Sequence, residues 1–295
     1  MDGFICIDKP VGPSSFSAAQ AVRKSLKIKK AGHAGTLDPM ASGLLVVALG
    51  RCTRLLEHLS LEPKIYEFSV TFGRSTDTLD AEGNVIAESS VIPSSERLAG
   101  VLKNFMGAIE QTPPQYSAIK INGTPAYKLA RKGVDMEMKS RSITIYDLAM
   151  CGYDISEKRA DFTVSCSSGT YVRSLAADIV KAADVNAEGF VNKLRRTRTG
   201  RFDLSMAVDY QHLSDSINYI IDAGAAFDDP QKVVIDDAQK AEISKGRKIV
   251  INSTNPVVGK GGPESILIAF DGAGSLTAVL KRVDGDKYHP EKVFL

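Results

Sequence analysis

The sequence predicts an α+β protein, in which a mixed sheet with flanking helices occupies most of the chain and a small β-barrel follows at the C terminus. Strand and helix patterns over residues 1–228 do not alternate regularly, which argues against a doubly wound parallel sheet. From residue 232 to 295 the chain carries short strand-like runs, several of them separated by glycine turns, and this is typical of a small barrel or sandwich. The stretch FDDPQ, residues 227–231, is the predicted linker between the two regions.

Apolar periodicity assigns the elements of the larger region. GFICIDKP is predicted to be a strand, and the helix that follows begins at Ser14 or Ser15, which can cap it. The continuous apolar run GLLVVALG predicts a buried strand, and alternating apolar side chains in IYEFSVTFG predict a half-buried one. The later predicted elements are a capped helix at 94–107, adjacent strands at 143–155 and 159–168, and a helix at 170–183. Those of the C-terminal region are strands at 232–236, 247–251, 265–270, 276–283 and 292–295.

Composition excludes several classes of protein. The chain has 295 residues, of which 43% are hydrophobic and 24% charged, so it is long enough for a substantial core. It shows no signal peptide and no apolar run of the roughly 18 residues that a membrane helix needs, so a cytoplasmic protein is expected. The 4 cysteines and 4 histidines lack the spacing of metal ligands or of a disulfide framework, which predicts a reduced protein without a structural metal.

Positive charge is clustered although the formal net charge is only +2. Residues 23–30 and 193–201 each carry five lysines or arginines and no acidic side chain. Residues 120–141 carry six basic and two acidic side chains. Such clusters can be ordinary solvated faces, but three of them in one chain favour a surface that binds a nucleic acid. The aspartate-rich stretch at 209–237 is expected to stay away from that partner or to orient it.

One aspartate, Asp38, stands in the glycine-rich stretch AGHAGTLDPMASGLL. Pro39 restrains Asp38 to an extended or turn conformation, so the carboxylate is fixed on a stiff loop. An Asp-Pro turn is the simpler interpretation of this stretch alone. Arg173, near a helix start in SSGTYVRSL, can pair with the carboxylate and lower its pKa. Tyr66 offers a flat face for a base, and the three groups together suit base chemistry that needs no metal.

Ordered motifs along the chain resemble those of the TruB-type pseudouridine synthases, which isomerise the T-loop uridine of transfer RNA, position 55. GHAGTLDPMASGLL resembles the family signature, DKPVGPSS its opening motif, KIYEF its second motif and GRSTDTLDAEG the next. GTYVRSLAADI resembles the motif that contains an arginine, and KLRRTRTGRF the later basic segment. TPPQYSAIKINGTPAYKLARKG resembles an RNA-gripping thumb insertion, placed at about residues 112–141. The motifs cover most of residues 3–202 and imply the mixed sheet of that family.

The resemblance implies a role for each matching residue. Asp38 matches the nucleophile, which attacks the uridine at C6 of the ring or at C1′ of the ribose. Arg173 matches the partner of Asp38. Tyr66 matches the tyrosine that stacks on the target base, and it is a candidate to assist proton removal. Base flipping is required because a stacked uridine hides its reacting atoms.

Four further matches are expected around the substrate. Tyr171 and Leu194 match walls of the base pocket, and His33 matches the histidine that takes the place of the flipped-out base. Lys9 matches a lysine that supports the sheet and loop beside the bound substrate. Asp77 and Asp80 are interpreted as turn formers.

Phosphate contacts are expected in three places, because such contacts position an RNA without reading its sequence. These are the thumb-like insertion, the later basic segment and the C-terminal region. That region resembles a PUA domain, an RNA-binding pseudo-barrel, through AEISKGRKIV and GSLTAVLKRVDGDKYHPEKVF. The residues expected to contact RNA are Lys120, Arg131, Arg195, Arg196, Arg198, Lys245 and Arg247.

The resemblance implies a cofactor-free monomer that acts on transfer RNA without an obligatory protein partner, and two alternatives stay open. A guide-dependent pseudouridine synthase shares the Gly-His-x-Gly-Thr-Leu-Asp-Pro motif but relies on a guide RNA and protein partners. The thumb-like stretch favours the stand-alone enzyme. The other alternative is a protein that unfolds and anneals transfer RNA. AADIVKAADVNAEGFV departs from the family pattern, which affects local RNA contacts rather than the chemistry.

Overall fold

The computed structural model describes residues 1–134, 136–227, 232–251 and 266–294. Its helices are α1 (Ser15–Ser25), α2 (Ser95–Leu102), α3 (Ala126–Ala130), α4 (Val172–Ala183) and α5 (Asp237–Ser244). Its strands are β1 (Gly3–Lys9), β2 (Ala31–Ala34), β3 (Ala41–Leu49), β4 (Lys64–Phe72), β5 (Arg74–Thr76), β6 (Val85–Glu88), β7 (Gly107–Gln111), β8 (Lys120–Ile121), β9 (Thr124–Pro125), β10 (Arg141–Asp154), β11 (Arg159–Cys166), β12 (Gly189–Thr199), β13 (Phe202–Asp203), β14 (Ala207–Asp209), β15 (Lys232–Val234), β16 (Ile249–Val250), β17 (Ile266–Phe270), β18 (Leu276–Asp284) and β19 (Lys287–Val293). None of the helices in the described ranges is long and apolar enough to cross a membrane.

A mixed sheet forms the centre of the molecule. Its main strands follow the order β14-β1-β3-β12-β4-β11-β10-β7, with β2 paired to β3 and β13 to β12. The strand β12 lies at the centre, parallel to β3 and antiparallel to β4. In this register Arg196 stands between Gly43 of β3 and Tyr66 of β4. The sheet thereby brings together segments that lie far apart in sequence.

Buried side chains on both faces explain the continuous apolar run of β3. Leu45 and Val47 face α1, where they pack in a cluster with Ala18 and Val22. Leu44 and Val46 belong to a different cluster that includes residues of the C-terminal sheet. A strand covered on both faces has no polar position to alternate with, so its sequence is uniformly apolar. Helices α2 and α4 cover the neighbouring strands, through a cluster that includes Leu98, Leu175, Ile179 and Val70.

The C-terminal strands form a five-stranded sheet in the order β15-β17-β18-β19-β16. Ile268, Phe270 and Val279 pack against the central sheet in one hydrophobic cluster with Phe4 and Phe227. Polar contacts tie the edge of this interface, since Arg54 donates to the Val293 carbonyl at 2.9 Å and lies over the Phe294 ring at 4.6 Å. The two sheets therefore share one apolar interface.

The α+β class and the small C-terminal β region are confirmed, with three differences of detail. The run KLRRTRTGRF, predicted only as a basic segment, forms the end of the central strand β12 and the turn after it. The helix α5 was not predicted, although Asp236 and Gln239 form a capping box at its start. The last strand begins at Lys287, earlier than the predicted residue 292. Most of the predicted linker lies outside the described residues, and the boundary between 1–228 and 232–295 stays a prediction.

Gly43 is required where β3 meets β12. Its φ is +101°, and a Cβ atom there would overlap the carbonyl oxygen of Arg196. We expect Gly43→Ala to lower the free energy of unfolding by at least about 3 kcal/mol, because it adds a clash with backbone to the strain of a positive φ. Gly107→Ala is the matched control, since Gly107 has a φ of +83° and nothing near its Cβ position. We expect the control to cost about 1 kcal/mol. Equal losses in denaturant unfolding would contradict the clash.

Candidate active site

Asp38 lies on the loop between β2 and β3, and helix α1 holds that loop in place. The Ser15 hydroxyl donates to the Leu37 carbonyl at 2.9 Å and accepts from the Leu37 amide at 2.7 Å. The Ala41 amide donates to the Asp38 carbonyl at 3.1 Å, which closes the turn. The backbone on both sides of Asp38 is therefore fixed, as expected from the Asp-Pro sequence.

Lys9, the last residue of β1, supports the same loop through hydrogen bonds to backbone carbonyls. Its side chain is fully buried, and its ammonium group donates to the carbonyls of Pro10 at 2.7 Å, Pro13 at 2.9 Å and Pro39 at 3.5 Å. Burial lowers the Lys9 pKa to about 8, although the negative charges of Asp38 and Glu82 oppose that shift. The prediction that Lys9 supports the sheet and loop fits this geometry. Because the Lys9 side chain is fully buried, it stands behind the loop and does not reach the cavity surface in this arrangement.

Arg173, near the start of α4, is bonded to groups from three other segments of the chain. One guanidinium nitrogen lies 2.9 Å from an Asp38 oxygen, and the other lies 3.2 Å from an Asp80 oxygen. The same nitrogens donate to the carbonyls of Tyr116 at 2.9 Å and Thr78 at 2.8 Å. The Arg173 side chain is 4% exposed and the Asp80 side chain 5%, whereas that of Asp38 is 38% exposed. Asp38 is therefore the carboxylate of this network that a ligand can reach.

The Asp38 pKa corrects one expectation. Pairing with Arg173 was expected to lower it, but the pKa is raised from its ordinary value of 3.8. Burial is the largest cause, and the negative charge of Asp80 adds to it. The charges of Arg173 and Lys9 oppose the shift without cancelling it. The sequence could not indicate this sign, because it depends on how much solvent the folded loop loses.

A cavity of about 230 Å³ opens beside Asp38. Predicted pocket residues from four separate segments line it, namely Asp38, Tyr66, Tyr171, Arg173 and Leu194, together with Lys64 and Arg141. Burial raises the Tyr66 pKa, so its phenol is neutral near pH 7. Tyr66 and Tyr171 thus line one cavity together with a partly exposed carboxylate.

Two residues without a predicted role hold Tyr171. The Gln111 side chain accepts from the Tyr171 amide at 2.8 Å and donates to its carbonyl at 3.1 Å. The Arg141 guanidinium stacks over the Tyr171 ring at 4.7 Å and donates to the Gly169 carbonyl. Both residues lie at the sheet ends of the predicted thumb, Gln111 ending β7 and Arg141 beginning β10. Sequence reasoning missed them, because neither stands in a motif with an apparent chemical role.

A second cavity, of about 490 Å³, lies between the Asp38 loop and the predicted thumb. His33 lines it and lies 3.4 Å from the Thr36 hydroxyl, while burial and Arg196 lower the His33 pKa. Tyr127 and Arg131 of the thumb line its other side, with the Arg131 guanidinium 5.7 Å from the Tyr127 ring. Asp38 and Arg173 line both cavities, so they stand at the junction of the two.

Arg196 was predicted to contact RNA, and this is wrong. Its side chain is fully buried, and it donates to the carbonyls of Leu44 and Gly35 at 2.9 Å each. Strand alternation buries Arg196 next to Tyr66 and leaves Arg195 half-buried, and a bulge between Arg196 and Arg198 interrupts the alternation, so that Arg198 is exposed. Arg195 already pairs with Asp8 at 2.6 Å.

The remaining predicted phosphate contacts have mixed surroundings. Lys120 is exposed on β8 of the thumb, and Arg131 is exposed after α3. Lys245 and Arg247 lie 3.4 Å and 3.2 Å from the same carboxylate, that of Glu242, so their charge is partly neutralised within the chain.

Asp80 is the residue that sequence reasoning misjudged most. It does form a turn, since it accepts from the Thr78 hydroxyl at 2.6 Å and the Glu82 amide at 3.0 Å. However, its second oxygen faces Arg173 inside the protein. The motif GRSTDTLDAEG contains Asp80, but an aspartate that only forms a turn and one that also pairs with a buried arginine look the same in a sequence. Among the described residues, no group of three or more histidine, cysteine or acidic side chains is arranged to hold a metal ion.

Known proteins resemble this chain in sequence and in fold. The model of the TruB family pseudouridylate synthase (N terminal domain) matches residues 23–172. A tRNA pseudouridine synthase B of Caulobacter sp. (strain K31) is 39% identical over 259 residues, covering 85% of this chain and 82% of that protein. A protein of the same name from Ehrlichia chaffeensis is 34% identical over 302 residues, covering 100% of this chain and 99% of its own.

A solved structure extends the likeness to three dimensions. A chain of the crystal structure of a Cbf5-Nop10-Gar1 complex matches with a TM-score of 0.73 and 26% identity, over 99% of this chain and 85% of that one. Because this match extends over the C-terminal sheet, it confirms the expected pseudouridine-synthase fold with a PUA-like C-terminal region. The chain belongs to the TruB family of pseudouridylate synthases, enzymes that isomerise uridine to pseudouridine.

Proposed function

We propose that this enzyme acts on transfer RNA and isomerises the T-loop uridine at position 55, with Asp38 as the nucleophile. The observation that carries the proposal is the pairing of Asp38 with the buried Arg173 at the mouth of a cavity lined by Tyr66 and Tyr171. The names of the bacterial relatives, which match over most of the chain, support the choice of transfer RNA. The cavity, about 230 Å³, is small compared with ligand pockets of roughly 300–1,000 Å³, which suits a single nucleoside.

The proposed reaction rearranges bonds within one nucleotide. The uridine flips out of the T-loop, because its reacting atoms are hidden when it is stacked. The ionised Asp38 carboxylate attacks either C6 of the ring or C1′ of the ribose, and the bond from C1′ to N1 breaks. The uracil turns in the cavity, a bond forms from C5 to C1′, and the proton on C5 is transferred to N1 by way of a base or solvent. Asp38 leaves C1′ as the C5–C1′ bond forms, or leaves C6 once that bond has formed, so the product is an isomer of the substrate.

The surrounding residues have complementary proposed roles. Arg173 keeps Asp38 ionised and oriented, which offsets the cost of burying a carboxylate. Tyr66 stacks on the base and remains positioned near C5, while Tyr171 and Leu194 form further walls. His33, beside the second cavity, fills the space that the flipped base leaves. The thumb at 112–141, the strand β12 and the C-terminal region hold the RNA backbone, through Lys120, Arg131, Arg195, Arg198, Lys245 and Arg247.

The enzyme is proposed to act alone, as a monomer and without a guide RNA. The test uses the purified protein with an unmodified transfer RNA transcript, in buffer containing a metal chelator, and maps pseudouridine by chemical probing. We expect conversion of the T-loop uridine only. Tight binding without conversion would instead favour a guide-dependent enzyme or a protein that refolds transfer RNA. Conversion at other uridines would overturn the proposed site on the substrate.

A further inference from the structure

A second basic surface lies away from the active site. It is a cavity of about 650 Å³ between the turn that follows α1 and the 3-10 helix that follows β3. Its lining includes five exposed cationic residues, Lys27, Lys29, Lys30, Arg51 and Arg54, which are called the basic groove below. Among the described residues that line it, Asp2 is the only one with a carboxylate side chain. Lys27, Lys29 and Lys30 come from the basic cluster at residues 23–30, and none of the seven individually predicted RNA contacts lines this groove.

Among the described residues, the only ion pair of the basic groove joins Asp2 and Arg51. Asp2 is committed to Arg51, accepting from its backbone amide at 2.6 Å and its side chain at 2.7 Å. No carboxylate within ion-pair distance is recorded among the described residues for Lys27, Lys29 or Lys30. Like charges gathered on one surface repel each other and attract a polyanion.

The backbone of the basic groove is held in a defined shape. The Ile28 amide donates to the Arg23 carbonyl at 3.1 Å, and the Gly50 amide donates to the Lys30 carbonyl at 2.8 Å. Ile28 also packs on the cluster beneath α1, which anchors the middle of the lysine turn. Arg54 is fixed by its contacts with the last residues of the C-terminal sheet. The cations are thus carried by backbone that is already ordered before any ligand binds.

The basic groove is too far from Asp38 to touch the reacting nucleotide. Strand β3 separates the two, since the Asp38 loop precedes Ala41 and the groove begins just after Leu49. A nine-residue strand spans about 26 Å at roughly 3.3 Å per residue. Within the described ranges, no aromatic side chain lines the groove, so these residues offer no stacking faces for unpaired bases. Lysines and arginines without aromatic neighbours suit phosphate groups.

We propose that the basic groove binds the phosphate backbone of a double-stranded arm of the RNA substrate, outside the T-arm hairpin. This inference rests on the proposed function for the identity of the RNA. It gives the enzyme a second anchor, which positions a whole transfer RNA relative to Asp38 without reading its sequence. An isolated T-arm hairpin would be held by the active-site side alone.

The test compares two RNAs and two variants. The first variant carries Lys27→Gln, Lys29→Gln and Lys30→Gln, and the matched control carries Lys103→Gln, Lys158→Gln and Lys181→Gln. The control removes the same charge from exposed positions near α2, the β10–β11 turn and α4. The dissociation constant is measured against salt concentration for a full transfer RNA transcript and for its T-arm hairpin.

For the full transcript, we expect the groove variant to bind about tenfold more weakly, with a salt slope reduced by about 2 to 3. Its affinity for the hairpin and its turnover of bound RNA should match those of the wild type. The control variant should bind both RNAs with wild-type affinity. An unchanged salt slope for the full transcript, or an equal loss of affinity for both RNAs, would overturn the proposal that the basic groove binds RNA outside the T-arm. Wild-type conversion of the hairpin reports separately on the proposed function, since it does not require the groove.

Discussion

Asp38→Asn is expected to lower the single-turnover rate of pseudouridine formation by at least about 1000-fold, because an amide is a far weaker nucleophile than a carboxylate. The shape of the side chain is retained, and its oxygen can still accept from Arg173 as the carboxylate does at 2.9 Å. We therefore expect the dissociation constant for transfer RNA to stay within about threefold of the wild-type value. Rapid-quench conversion and filter binding on the same preparation measure the two quantities.

Two controls accompany this variant: its thermal unfolding, which reports on the fold, and its affinity for transfer RNA. The thermal unfolding transition should remain cooperative, because the second partner of Arg173, Asp80, is untouched. A conversion rate within tenfold of the wild type would contradict the assignment of the nucleophile. A parallel loss of binding and rate would instead place Asp38 among the residues that only hold RNA.

Asp80→Asn is expected to reduce the single-turnover rate by about 30- to 100-fold, the equivalent of roughly 2–3 kcal/mol. Asp80 is buried and pairs with Arg173 at 3.2 Å, so the neutral amide leaves the guanidinium with one carboxylate instead of two. Arg173 then loses part of the field that fixes it beside Asp38. Asp80 is a positioning residue in this account, because it reaches the reacting groups only through Arg173.

A pH profile distinguishes this role from a general loss of stability. Asp38 must be ionised to attack, so the rate falls as the pH drops through the raised Asp38 pKa and is constant above it. The negative charge of Asp80 is one cause of that raised pKa. Asp80→Asn should therefore shift the acid limb of the profile to lower pH, while the plateau decreases.

The matched control is Asp77→Asn, on the same turn. Asp77 accepts from the Asn84 amide at 2.9 Å and has no recorded ion pair with Arg173, so its loss should leave both the plateau and the acid limb near the wild type. If Asp80→Asn decreased the plateau without moving the acid limb, the electrostatic coupling to Asp38 would be refuted. If Asp77→Asn gave the same profile, the turn and not the ion pair would be responsible.

Local sequence determined most of the elements and the identity of the central carboxylate. The apolar runs of β1, β3 and β4 and the Ser14 and Ser94 caps act over a few residues, so periodicity and capping chemistry were enough. Asp38 was singled out because Pro39 restrains its backbone while the neighbouring glycines allow a tight loop, although this stretch alone favoured a simple turn and the resemblance assigned the nucleophile. Arg173 was suggested as its partner from its charge and then from the resemblance, and the structure places it beside Asp38.

Only the tertiary structure decided which charges are buried. Arg195 and Arg196 are adjacent in sequence, yet strand alternation leaves the first half-buried and buries the second against Gly35 and Leu44. Asp80 differs from an ordinary turn aspartate only because Arg173, which follows it by more than ninety positions in the printed sequence, meets it in the fold. The direction of the Asp38 pKa has the same origin. Burial and charge–charge distances depend on which segments the sheet brings together, and no local pattern contains that information.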